Sequence, residues 1–205
     1  MKKVLIALLA LVAVVGALLC VYIMSSEDPQ YLLRETVFSW RFKYDDLIRQ
    51  ASQRYGVAPE LIKAVIWRES QFQPRKVGLQ GERGLMQITE KAAADWARAE
   101  KIQTFVSTDL FDPKVNIEAG TWYLDRALTH WSAKDNPLPF ALAEYNAGRT
   151  RVRRWVEDSG LGNTAEAGDL QAAMDFPTTK SYIATITARY DFYKRRGEFA
   201  DVRRP

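Results

Sequence analysis

"PELIKAVIWRESQF", residues 59–72, decides how the rest of the chain is read. Pro59 suits the first turn of a helix, where no backbone N–H is needed. Behind it Leu61, Ile62, Val65 and Ile66 recur at helical spacing, which predicts a helix over about 59–70. The next position on the same stripe is Glu69. A stripe that must face the core therefore ends in a carboxyl group. That group also sits in the last helical turn, where the helix dipole disfavours negative charge. Partial desolvation acts in the same sense. Both effects favour the protonated form, the direction a general acid needs at neutral pH. Periodicity alone leaves a second reading open: the side chain bends out to solvent, or pairs with Arg68 or Arg75.

Outward from this helix the chain reads as more helices. One is expected over about 44–55, with Leu47, Ile48 and Ala51 on one face and Gly56 as its stop. A glycine-rich loop (Gly78, Gly81, Gly84) follows residue 70. Thr89 can cap a helix over about 90–100. Asp112-Pro113 and then Asn116 are successive start signals for a helix over about 117–131. Pro137 and Pro139 open a short helix ending near Asn146, stopped by Gly148. Another short helix is expected over 150–157, then a flexible loop from Gly160 to Gly168. The last helix runs over about 179–196, capped by Thr178 or Thr179 and stopped by Gly197. No strand-like alternation is sustained and no internal repeat is visible. The fold class is all-α, with room for a minor hairpin.

The N-terminus carries an unbroken apolar run, residues 4–24, behind Lys2 and Lys3. As a helix it reaches about 32 Å, enough to cross a bilayer core. A cleaved signal peptide with Val15-Gly16-Ala17 as its site is one reading; a retained signal anchor fits the length better. Positive charge ahead of the run places the N-terminus in the cytoplasm, so the remaining chain lies outside the inner membrane, facing the periplasm and cell wall. The expected organisation is an anchor over 1–24, a tether over 25–41, a globular domain over 42–196 and a basic tail over 197–205.

Composition narrows the function. The chain has 205 residues and a net charge of +4, near neutral once Lys2 and Lys3 are set aside, which argues against a nucleic-acid binder. One cysteine, Cys20, and one histidine, His130, exclude a His/Cys metal site and an internal disulfide. No G-x-S-x-G element is present for a serine nucleophile. No metal and no cofactor is expected.

From Glu69 the chain reads ESQFQP, then GERGLMQI (Gly81 to Ile88), then AEYNAG (Ala143 to Gly148). Supporting segments are YGVAPELIKAVIWRES, FDPKVNIEAGTWYL and KSYIATITARYDFY. In order and spacing these motifs resemble the SLT-type lytic transglycosylases, which cleave peptidoglycan and share the lysozyme-like fold. The resemblance covers about residues 42–195. It implies that Glu69 is the catalytic acid. It implies that Met86, Gln87, Tyr145, Asn146 and Tyr182 line the sugar groove, with peptidoglycan glycan strands as the partner. Each has a plainer reading: Leu85 and Met86 as core, Asn146 as a helix C-cap, Tyr182 as a core aromatic in line with Ile186 and Tyr190. Gly78 stands where the family often carries a Ser that helps hold an acetamido group. Thr178 and Lys180 replace a Glu and an Arg common in its last motif.

Hydrolysing glycosidases usually pair two carboxylates. Glu82, Glu90 and Glu144 read as surface charges, so a one-carboxylate mechanism fits; the resemblance implies it, as a lyase reaction giving a 1,6-anhydro product. A water-using muramidase and a non-catalytic peptidoglycan-binding scaffold are the alternatives.

Overall fold

The computed structural model describes residues 2–24 and 43–200. The chain divides into two units, residues 1–44 and 45–205. In the first, α1 (Lys2–Met24) is continuous, and Val4–Tyr22 has a mean hydropathy of 3.2. By length and composition it can cross a membrane. The expected tether over 25–41, and residues 201–205 of the expected tail, lie outside the described residues.

The second unit contains α2 (Asp45–Tyr55), α3 (Pro59–Ser70), α4 (Glu90–Ala99), α5 (Pro113–His130), α6 (Leu138–Ala147), α7 (Arg149–Asp158), α8 (Ala167–Ala173) and α9 (Pro177–Arg196). Short 3-10 turns occupy Ser107–Phe111 and Gly162–Thr164. Among the described residues there is no strand. What remains of a hairpin is two isolated antiparallel bridges, Val77 with Arg83 and Arg83 with Ile88. The fold is all-α.

α3 lies at the centre, packed on α9 and α2. Leu61, Ile62, Lys63, Ala64, Val65 and Ile66 are all buried, so the helix is enclosed on every side, not along one stripe. Enclosure explains an unexpected lysine. Lys63 is buried, with its Nζ 2.9 Å from Asp45 of α2 and 2.9 Å from Glu198 beyond α9. The Tyr193 and Phe199 rings flank the ammonium. A buried cation needs anions beside it. Glu198 and Phe199, expected in a solvated tail, are thereby drawn onto the domain, which continues to Ala200.

Local signals set most boundaries. Thr89 Oγ1 accepts the Ala92 N–H and caps α4. Asp112 caps α5 by accepting the N–H groups of Lys114 and Val115, so that helix starts at Pro113 and not at 117. α9 starts at Pro177 instead of 179; neither Thr178 nor Thr179 caps it, and proline supplies the first turn. The expected loop from Gly160 to Gly168 runs into α8. There Asp169 accepts the Glu166 N–H, and Leu170 buries itself with Phe140 and Trp155. A seven-residue helix with one buried side chain leaves no periodicity to detect.

Candidate active site

Glu69 is half-buried in the last turn of α3. Tyr182, in the first half of α9, donates its phenol proton to Glu69 Oε1 at 2.6 Å. Burial is the main cause that pushes the Glu69 carboxyl up from 4.5 to about 7. The Tyr182 hydrogen bond, Arg68 and Lys76 pull it down, and Glu82 pushes it up. Glu69 thus sits where a carboxyl can hold a proton near neutral pH and still release it.

The chain reverses directly after the acid. Gln71 and Phe72 take φ of 51° and 64°, a left-handed backbone that costs energy in residues other than glycine. The buried Phe72 side chain holds the turn in place. The next segment then folds back toward Glu69. Lys76 Nζ donates to the Glu69 carbonyl, and the Lys76 carbonyl accepts from the Gly84 N–H at 2.9 Å and from Gln87 Nε2 at 3.1 Å. Gln87 Nε2 also donates to the Gly84 carbonyl at 2.8 Å. The amide of Gln87 therefore holds its own loop.

Asn116 is the peg of that loop. It is fully buried; its Oδ1 accepts the Met86 N–H at 2.7 Å, and its Nδ2 donates to the Arg83 and Leu110 carbonyls, each at 2.8 Å. Gly84 is required beside it: φ is 78°, and a Cβ there would lie 2.2 Å from Asn116 Nδ2. In the sequence Asn116 looks like a helix start. Asp112 already caps the helix, which leaves Asn116 without a capping role. Asn116→Ala is expected to strip three hydrogen bonds and lower stability by about 2 kcal/mol. Denaturant unfolding checks this; an unchanged midpoint would contradict the role.

The other expected groove residues separate. Met86 is fully buried, with its sulfur against Gly120, where a Cβ would lie 2.5 Å away. Its side chain presents no surface, in line with the core alternative, and Leu85 is buried likewise. The Met86 carbonyl accepts the Tyr145 phenol at 3.0 Å. Tyr145 therefore ties α6 to the loop, and its own pKa is pushed well up by burial, then by Glu69 and Tyr123. Asn146 is exposed; its Oδ1 accepts from Thr179 Oγ1 at 2.8 Å, joining α6 to α9. The helix end belongs to Gly148, so Asn146 is not the C-cap.

Glu144, expected at the surface, is buried. It lies 2.7 Å from His130 Nδ1 and accepts from Trp131 Nε1 at 2.8 Å, fixing α6 to the end of α5. Nearly every side of α6 is enclosed, which a stripe-based reading does not anticipate. Among the described residues no group of three His, Cys, Asp or Glu side chains could hold a metal ion.

The fold places this chain among known proteins. The 70 kDa soluble lytic transglycosylase SLT70 from Escherichia coli superposes with a TM-score of 0.67 at 27% identity, over 75% of this chain and 24% of that one. An inactive mutant of lytic transglycosylase Slt from Pseudomonas aeruginosa gives 0.66 at 24% identity, over 75% and 24%. A complex of the 70-kDa soluble lytic transglycosylase with bulgecin A gives 0.69 at 24%, over 88% and 28%. The last two likenesses are of fold. The chain spans about a quarter of the length of these structures. The family described as Transglycosylase SLT domain matches residues 46–167, more than half of the chain and all of the loop-and-acid arrangement except Tyr182. An all-α, lysozyme-like frame with these motifs in this order therefore places the chain in the SLT transglycosylase domain family.

Proposed function

We propose that this chain is a peptidoglycan lytic transglycosylase. One observation carries the reading: a half-buried Glu69 on an SLT frame, with a carboxyl pushed to about 7 and one oxygen engaged by Tyr182. Such a group can donate a proton and then accept one at the same pH. Glu69 protonates the oxygen between N-acetylmuramic acid and N-acetylglucosamine, and the bond to the muramoyl C1 breaks. The muramoyl acetamido carbonyl supports the cationic centre, as in substrate-assisted glycosidases. The muramoyl 6-hydroxyl then closes onto C1 and returns its proton to Glu69, leaving a 1,6-anhydro end. Tyr182 orients the carboxyl; Tyr145, Gln87 and Asn116 hold the loop that borders it.

The same proposal assigns α1 as a single-pass anchor in the inner membrane, with residues 25–41 as a tether and the lytic domain facing the cell wall. Apolar length and the leading lysines support it. Such a domain would work on glycan close to the membrane, within reach of a linker of about that many residues.

Mass spectrometry of the soluble products tests the reaction. Anhydro ends, lighter than reducing ends by one water, are expected from purified peptidoglycan. Reducing ends alone would convert the assignment to a muramidase.

A further inference from the structure

In the loop beside Glu69, the space that a side chain at residue 78 would take is occupied by Glu82. Gly78 is half-buried, and a Cβ built on it would lie 2.3 Å from Glu82 Oε2 and 3.0 Å from Gln87 Oε1. Two acceptor oxygens from different parts of the loop thus converge on the position a residue-78 side chain would occupy. Both are held there. Glu82 Oε2 accepts the Gln80 N–H at 3.0 Å, within a turn closed by Gly78 N–H on the Glu82 carbonyl at 2.8 Å. Gln87 spends its Nε2 on the Lys76 and Gly84 carbonyls, which turns Oε1 toward Gly78. Lys76 in turn grips the Glu69 carbonyl, so this acceptor pair is stitched to the acid-bearing helix end. Glu82 also acts on Glu69 through its charge.

We propose that Glu82 fills the place of a residue-78 side chain, and that its carboxylate accepts the N–H of the muramoyl 2-acetamido group during cleavage. The inference rests on the transglycosylase reading above and deepens it. As Glu69 protonates the bridging oxygen, the C1–O bond breaks and its electron pair stays on that oxygen. The acetamido carbonyl oxygen forms a bond to C1, and positive charge spreads over the oxygen, carbon and nitrogen of the new five-membered ring. The N–H of that ring becomes a stronger donor, and an anion facing it gains most when the charge is greatest. In the second step the 6-hydroxyl oxygen bonds to C1, the bond from C1 to the acetamido oxygen breaks, and the hydroxyl proton passes to Glu69. Glu82 moves no proton; it stabilises the charged ring. Gln87 Oε1 is the neutral member of the pair and orients the same group.

The test uses the full chain in detergent micelles with purified peptidoglycan, and reads kcat, KM, the pH profile and product ends. Glu82→Ala is expected to lower kcat by about tenfold to a hundredfold with KM changed far less. Glu82→Gln, which keeps an acceptor but no charge, should fall between it and the parent. Removing the anion also lets Glu69 lose its proton more easily, so the alkaline limb of the kcat profile moves to lower pH in both variants. Gly78→Ser combined with Glu82→Ala should recover part of the rate, because a hydroxyl then occupies the vacated place. Parent-like kcat and pH profile in both single variants, with anhydro ends still formed by the parent protein, overturns the role of Glu82 and leaves the transglycosylase reading standing. Reducing ends from the parent that disappear in Glu82→Ala would make Glu82 a water-activating base and overturn both.

Discussion

Glu69→Gln is expected to remove glycan cleavage and to make the folded domain more stable at neutral pH. The amide has the shape of the carboxyl and still accepts the Tyr182 phenol, so the 2.6 Å contact with α9 can persist. It has no proton to give, and a loss of about a thousandfold is expected from removal of a general acid. The stability gain follows from linkage. In the folded chain the Glu69 carboxyl is pushed to about 7; in the unfolded chain it titrates near its ordinary value. Between those values the folded state binds more protons than the unfolded state. Stability contributed at this site is therefore complete below the unfolded pKa and falls as pH rises toward 7. The full cost, about 3 kcal/mol, is present above pH 7. Gln carries no such penalty. Denaturant unfolding of both proteins at about pH 4 and pH 8 should show similar stability at the lower pH and a more stable variant at the higher one. An identical pH dependence would mean that Glu69 is not held in an apolar setting, and full activity in the variant would remove it from the chemistry.

Lys63→Met should be the most destabilising single change in the helical domain outside the site. The methionine fits the space but leaves Asp45 and Glu198 facing each other without their cation. Burial already pushes the Asp45 carboxyl up, with Lys63 opposing it, and Glu198 adds to the rise. Breaking a buried ion pair from one side costs about 3–5 kcal/mol. Neutralising all three together, as Lys63→Met with Asp45→Asn and Glu198→Gln, should return much of that loss, since no buried charge then lacks a partner. Unfolding midpoints of the two proteins decide the matter: a mild effect of Lys63→Met alone would show that water reaches the pair.

These two residues also mark what sequence can and cannot convey. The inward setting of the Glu69 carboxyl was legible as one of two readings, because a charged group stands in period with Ile62, Val65 and Ile66 within seven residues. Thr89 as a cap and Pro59 as a helix start were legible for the same reason: their partners lie within one turn. Lys63, Asn116 and Glu144 were not. Each reads as an ordinary polar residue on a helix, and its meaning lies largely in groups brought from more than ten residues away. Met86 shows the converse: its motif was legible, while the burial of its side chain depends on the absence of a Cβ at Gly120. α8 escaped because a short helix carries one buried residue and no pattern.

The acid and the phenol that orients it come from opposite ends of the domain, 113 residues apart in the chain. Lys63 and its partner Glu198 span a still longer interval. A ribosome that has made the first half of the domain has already made Glu69, the reversal after it and the loop that borders it. It has not made the helix that completes them. Both clasps close only with α9 and the residues just after it, so on the transglycosylase reading the acid is completed late in synthesis. A nascent chain that ends before α9 carries a carboxyl with no phenol to aim it and a core lysine short of one anion.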